Sequence, residues 1–292
     1  MDTRKVFIAG CGYVGTKLAQ RLLSKNDEVT VMVRSAESCQ SLEPYYHYIK
    51  ADLDDSPLTL DVSFADTTLF YFVPPPSQGV IDSRIERFLQ ALEDNTTPDK
   101  IILISTTGVY GDCADRWIDE TRQPRADTDR ARRRLSAEHI LQQWCDQREI
   151  DYAILRVPGI YGPGKLPLKR LQEQKPILNM AESPWSNRIH IDDLVQSCMN
   201  ALAYTGKERI FNISDGNPSS MSDFFLSVAA TMNLPTPQQI SLDECKKLFS
   251  DNMMSYLLES KKIDNSRMRH ELNVQLKYPS LRQGLEAIKR AD

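Results

Sequence analysis

The 292-residue chain has no C-x-x-C pair, no histidines at metal-ligand spacing and no apolar run long enough to span a bilayer. Its six cysteines (Cys11, Cys39, Cys113, Cys145, Cys198, Cys245) are scattered, which predicts reduced thiols rather than a disulfide framework. Four histidines without ligand spacing predict no metal site. A net charge of −4 removes any general electrostatic pull toward nucleic acid or anionic membrane. No internal repeat or low-complexity tract occurs, and the N-terminus runs into a strand without a cleavable signal pattern. These absences predict a cytoplasmic protein with no nucleic-acid or membrane partner. Charged residues at 26% and hydrophobic residues at 41% are ordinary for a globular chain. The length suffices for one domain with a lobe, or for two domains.

What is present starts at once. Val6 to Gly15 read VFIAGCGYVG, an apolar run that drops into glycines at Gly10, Gly12 and Gly15. A strand turning sharply into a helix beneath a pyrophosphate needs that order. Gly10 makes the tight turn, Gly12 lets phosphate oxygens reach the backbone, and Gly15 lets the helix pack close to the strand. Val14, Leu18 and Leu22 then repeat on one helical face, which supplies the context that a lone G-x-G-x-x-G lacks.

Strand and helix alternate through the first half. Strands are predicted at Val6–Ala9, Val29–Val33, Tyr48–Ala51, Thr68–Val73, Ile101–Ser105 and Ala153–Val157. Helices are predicted at Ile81–Leu92 and Thr128–Gln147, then at Ser222–Met232, Leu242–Glu259 and Ser280–Lys289. Pro74-Pro75-Pro76 ends the fourth strand, because proline has no N–H for the ladder. After Pro158 the texture becomes loop-rich, with Gly162-Pro163-Gly164, Pro167, Pro176 and Pro184. The expected fold is α/β, a Rossmann-type doubly wound parallel sheet with a smaller C-terminal substrate lobe. Residues 1–163 would form the dinucleotide-binding core, 189–214 would return to it, and 164–292 would form the mostly helical lobe.

The second strand ends in Val33, Arg34 and Ser35, without the carboxylate that favours NAD. An arginine there suits a 2′-phosphate, since its planar guanidinium makes paired, charge-assisted hydrogen bonds. NADP is therefore the expected cofactor, with NAD as the alternative. Asp52 either accepts from the adenine amine or caps the next turn.

Five blocks in order resemble the extended short-chain dehydrogenase/reductases, the NAD(P)-dependent epimerase/dehydratase family. They are GCGYVG, Ser105–Gly111 (STTGVYG), Leu155–Gly164 (LRVPGIYGPG), Arg188–Val195 (RIHIDDLV) and Phe211–Gly216 (FNISDG). The endings SKKIDNSRMRHEL and YPSLRQGL are similar to those of an atypical branch. The resemblance implies cofactor contacts from Gly10, Cys11, Gly12, Tyr13, Val14, Gly15, Arg34, Ser35, Asp52, Leu53, Val73, Pro74, Ser105, Arg134 and Pro158. It implies catalytic positions at Thr106, with Thr107 beside it, and on the helix carrying Ala137-Glu138. In relatives, the helices after the fourth and fifth strands often pair between subunits, which leaves a homodimer open.

The chain departs from that pattern at its chemistry. Counting back from Ala137-Glu138 puts Arg134 where the family's lysine belongs and Arg130 where its tyrosine belongs. Arginine stays protonated, so Arg130 is no ordinary proton-transfer group. Arg134 keeps the charge and reach to bind nicotinamide ribose. Arg130, Arg132 and Arg134 would hold an anion or, with Arg133, form a solvated face. Water, Tyr110 or Tyr161 would then supply the proton. Gly159 and Ser186 stand where relatives carry an asparagine and an arginine for nucleotide-sugars. His190 and Asp193 read as structural, with Asp192 or Asp193 capping the next helix.

The expected function is an NADP-dependent oxidoreductase or epimerase/dehydratase-like enzyme acting on a small hydroxyl or carbonyl substrate, with nucleotide-sugars among the candidates. The alternative is a catalytically silent NAD(P)-binding regulator.

Overall fold

The computed structural model describes residues 3–35, 47–55, 58–93 and 96–291. Seven strands form the main sheet: β1 (Lys5–Ala9), β2 (Glu28–Val33), β3 (His47–Lys50), β4 (Thr67–Tyr71), β5 (Lys100–Thr106), β6 (Asp151–Val157) and β7 (Ile210–Asn212). Their order is β7-β6-β5-β4-β1-β2-β3, in a parallel sheet. Val6, Phe7, Ile8 and Ala9 of β1 are all buried, as expected for a parallel strand covered on both faces. The connection order reverses between β1 and β4, the topological switch point where such sheets bind ligands.

Helices α1 (Tyr13–Leu23), α2 (Ser83–Glu93) and α3 (Asp129–Asp146) follow β1, β4 and β5. One core cluster joins Phe7, Leu69, Tyr71 and Leu103 of the sheet with Ile85, Phe88 and Leu92 of α2 and Ala137, Leu141 and Trp144 of α3. The buried side of α3 also carries Arg133 and Glu138, so its stripe is not purely apolar. Phe72 N–H donates to the Ala9 carbonyl before the proline run begins, and the strand stops there.

The chain divides into two compact units. One comprises Met1–Val109, Asp129–Arg156 and Val195–Phe211; the other comprises Tyr110–Thr128, Val157–Leu194 and Asn212–Asp292. These boundaries differ from the expected 1–163, 164–292 division. Residues 110–128 and 157–163 lie in the second unit, and of the returning segment 195–211 lies in the first. The second unit contains α5 (Met221–Thr231) and α6 (Leu281–Ala291), while α4 (Ile191–Ala203) begins there and ends in the first unit. The helix expected over Leu242–Glu259 is two helices, Leu242–Leu248 and Asp251–Leu257. Phe249 is extended, and the Ser250 side chain accepts from Met253 N–H to start a new helix. Among the described residues no helix is long and apolar enough to cross a membrane.

Candidate dinucleotide and active site

The three glycines of the first loop have three different reasons to be glycine. Gly10 sits at φ +93°, and a Cβ there would lie 2.9 Å from the Val73 nitrogen, so the loop after β1 is pressed against the loop after β4. Gly15 has no room either: a Cβ would meet the Gly10 carbonyl oxygen at 2.6 Å. Gly12 is the opposite, with nothing within 4 Å of a Cβ position. It is the N-cap of α1, and Thr16 N–H donates to its carbonyl at 2.8 Å. An open space at the N-terminus of an eleven-residue helix, at the switch point, fits the pyrophosphate of a dinucleotide. Tyr13 and Val14 are half-buried in the first turn. The Cys11 thiol is buried, 3.6 Å from the Thr16 hydroxyl, as a small side chain filling a turn.

Arg34 is exposed at the end of β2, and Ser35 follows it half-buried. At the end of β3, Asp52 Oδ1 accepts from Asp54 N–H at 3.0 Å and so caps its own turn. Leu53 is buried and its carbonyl accepts from Arg87 at 3.0 Å. Arg84 ties this loop to the next. Its Nε donates to Asp54 Oδ1 at 2.8 Å and its Nη1 to the Pro74 carbonyl at 2.9 Å. Arg84, and to a smaller degree Arg34, holds the Asp54 carboxyl below its ordinary pKa. Val73 is half-buried beside Gly10, and Pro74 after it is exposed.

The end of β5 separates its three hydroxyls. Ser105, expected at the cofactor, turns its hydroxyl into the core and donates to Glu138, so only its backbone remains for a ligand. Glu138 is in turn gripped by Arg156, with Nη2–Oε2 at 2.6 Å and Nε–Oε1 at 3.1 Å. Thr106 is half-buried, and its Oγ1 accepts from Gly108 N–H at 3.1 Å, which leaves the hydroxyl proton to give. Thr107 is buried at the start of a short 3-10 turn.

The arginine run on α3 divides. Arg130 is half-buried in the first turn, and Arg132 is exposed and pairs with Asp129 at 2.7 Å. Arg133 is buried and donates to the Gly79 carbonyl. Arg134 donates to the Ile104 carbonyl at 3.3 Å. Burial pulls the Arg134 guanidinium below its ordinary pKa, while Asp82 and Tyr71 act to raise it. The expectation of a wholly solvated face is therefore overturned for Arg133 and Arg134.

Two expected proton sources lie in the second unit, committed elsewhere. Tyr110 is buried and donates to Asn212 Oδ1 at 2.8 Å. Tyr161, expected to be catalytic, is 1% exposed in a cluster with Leu171, Val228 and Leu285. A Cβ on Gly284 would lie 2.2 Å from its hydroxyl oxygen, so it is a packing aromatic seated on a glycine. Pro158 also lies in this unit, half-buried. His190 Nδ1 accepts from Asp192 N–H at 3.1 Å, and the Asp193 carboxylate accepts from Lys277 and Tyr278 N–H at 2.7 and 3.0 Å. Asp193 thus joins distant backbone.

Sequence reasoning missed Asp215. It is buried with Oδ2 unpartnered, and burial raises its carboxyl pKa to about 7, opposed by Arg188. A folded-state value above the unfolded one stabilises at low pH, and that contribution is lost as pH rises through about 7. Thermal melts from pH 5 to 8.5 should show Asp215→Asn flattening that decline. It also missed Glu138–Arg156, which joins residues 18 apart, and Asp82, although an Asp before Ser83-Arg84 is a helix N-cap signature.

Comparison with known proteins agrees with this fold. Residues 83–214 match the model of the NAD dependent epimerase/dehydratase family. The chain is 26% identical over 288 residues to Protein YeeZ of Escherichia coli (strain K12), covering 94% of this chain and 97% of that protein. A functionally unknown conserved protein from Silicibacter pomeroyi has the same fold, with a TM-score of 0.83 at 24% identity over 99% of both chains. UDP-glucuronic acid 4-epimerase from Bacillus cereus, solved with NAD, gives 0.77 at 20% identity over 98% of this chain and 97% of that one.

Proposed function

We propose that this chain, whose residues 83–214 match the NAD dependent epimerase/dehydratase family, is an NADP-dependent enzyme of the epimerase/dehydratase type, acting on a small hydroxyl- or carbonyl-bearing substrate. The observation that carries the reading is the open space over Gly12, between two glycines that have no room for a side chain. Bound there, the dinucleotide supplies two-electron redox chemistry. Arg34 binds the 2′-phosphate through its exposed guanidinium. Arg134 holds the nicotinamide ribose in place of a lysine. Thr106 donates its hydroxyl proton to the substrate oxygen, a role that needs no altered pKa. Glu138 and Arg156 keep β5, β6 and α3 in register beneath it.

NADPH is expected to bind about tenfold or more tightly than NADH, and Arg34→Ala to close most of that gap, in fluorescence titrations. Equal wild-type affinities would refute the 2′-phosphate assignment. Turnover is tested by screening carbonyl compounds and nucleotide-sugars with Thr106→Val as the control. An unchanged rate in that variant on an accepted substrate removes Thr106 from the mechanism. One observation favours a second reading, a dinucleotide-binding regulator without turnover: the hydroxyl of Tyr110 is engaged and Tyr161 is sealed in a core. Tight NADPH binding with no turnover across the screen would select it.

A further inference from the structure

We propose that Arg188 is a carboxylate-binding residue, whose guanidinium takes the acid group of a small, singly charged ligand across the bare backbone of Gly159. Every residue involved lies in the second unit, so the inference goes beyond the dinucleotide reading and does not depend on it.

The short strands Gly159–Tyr161 and Arg188–His190 pair in parallel, with Arg188 opposite Gly159. Arg188 is 9% exposed, and its guanidinium carbon lies 4.1 Å from the centre of the Phe224 ring on α5. Nη2 donates to the Ser186 hydroxyl at 3.0 Å, and that hydroxyl donates in turn to the Ser219 carbonyl at 3.1 Å. Among the described residues the guanidinium makes no other hydrogen bond and no ion pair, and Nε is buried without a partner. The Nη1 edge lies against Gly159, where a Cβ would stand 3.0 Å from the nitrogen. Gly159 is exposed and its backbone is outside the left-handed region, so conformation does not demand glycine there. Its lack of a side chain leaves the approach to Nη1 open.

A buried cation with so few of its donors met is costly, and stacking on Phe224 offers no acceptor in the guanidinium plane. Burial pulls the Arg188 pKa down to about 10, with Asp215 and Asp223 acting to raise it, so the group keeps its proton at neutral pH. An anion brought to the Nη1 edge offsets the cost through a charge-assisted hydrogen bond in an enclosed place. The neighbours choose the charge of that anion. Asp215 N–H donates to the Arg188 carbonyl at 2.9 Å, its carboxyl Oδ2 is buried and unpartnered, and Asp223 directly precedes the stacked Phe224. One guanidinium between two carboxyl groups suits a single negative charge, whereas a diphosphate would set further negative charge against them. Ser186 and Phe224 hold the guanidinium in place beforehand, so little rotamer freedom is lost when the acid binds. Joined to the proposed function, the site narrows the substrate to a small hydroxy or oxo acid.

The test is isothermal titration of the full chain, without dinucleotide, using lactate and pyruvate as probes. Lactamide is the uncharged control and pyrophosphate the multiply charged one. The wild type should bind both acids about tenfold more tightly than either control. Arg188→Met keeps an apolar stem over Phe224 and should weaken acid binding about tenfold. Its melting temperature should stay level or rise, because the variant removes a buried charge that has no protein counter-ion. A purely structural arginine gives the reverse, a lower melting temperature with acid binding unchanged. Gly159→Ala leaves the charge in place and sets a methyl group against Nη1, so it should weaken acid binding about fivefold in a folded protein. That variant decides the matter if Arg188→Met fails to fold. The proposal is overturned if the wild type binds neither acid, binds lactamide equally or prefers pyrophosphate, or if either variant binds lactate as the wild type does. A separate NADPH titration tests the proposed function, and its failure would leave the lactate result standing.

Discussion

Glu138→Ala is expected to destabilise the protein by about 3–5 kcal/mol, the largest effect of any single substitution considered. The side chains of Glu138 and Arg156 are 1% and 3% exposed, and the Ser105 hydroxyl completes the network. Deleting the carboxylate leaves a guanidinium inside the sheet-and-helix core with no water to solvate it. The cost is that uncompensated charge and not the net worth of the ion pair. For a chain of this length the melting temperature should fall by roughly ten degrees. The double variant Glu138→Leu, Arg156→Met separates the two meanings. If stranded charge is the cause, removing both partners restores much of the loss, because a buried pair often contributes little over apolar residues of similar volume. A double variant as unstable as Glu138→Ala would show instead that the shape of the pair, not its charge, holds β5, β6 and α3 together.

Gly12→Val should leave the fold intact and remove dinucleotide binding by about a hundredfold or more, a loss of roughly 3 kcal/mol. The two halves of that expectation have separate grounds. A Cβ at residue 12 meets no protein atom within 4 Å beyond its own chain neighbours, and its φ of −86° is open to any residue. Stability should therefore change by less than about 0.5 kcal/mol. The space the valine fills is the one through which phosphate oxygens would approach the first N–H groups of α1. Gly15→Ala is the contrasting variant. Its methyl group would meet the Gly10 carbonyl oxygen at 2.6 Å, so it should lower the melting temperature through about 1–3 kcal/mol of overpacking. Retention of NADPH affinity in a folded Gly12→Val protein would place the dinucleotide elsewhere.

The features legible in the sequence were those set by local backbone requirements. Gly10, Gly12 and Gly15 read correctly as turn, opening and close contact, because each demand is made within a few residues. The six early strands lie within two residues of their expected bounds, since buried parallel strands are nearly continuous apolar runs. The break at Phe249-Ser250 was hidden by good helix-formers on either side, although Ser250 carried the cap. The active-site chemistry was less legible because its partners meet only in the tertiary structure. Glu138 and Arg156 come from a helix and a strand, and Glu138 had served only as a marker for counting back to Arg130. Tyr161 read as one of several candidate proton sources, and the residue that makes it a packing group, Gly284, lies far along the chain.

The first unit is assembled from three separated stretches of chain, the last ending at Phe211. Its sheet closes on β7, and the Ile154 N–H donates to the Arg209 carbonyl at 2.7 Å. During synthesis the bare edge of β6 must therefore wait while more than fifty further residues, most of them belonging to the second unit, emerge. At ribosomal speeds of about 5–20 residues per second, that is several seconds of an unpaired parallel edge, the kind of surface chaperones screen and aggregates recruit. A fragment stopping near residue 163 would carry the whole glycine loop and still lack its closing strand, so the nucleotide-binding half is not a portable module.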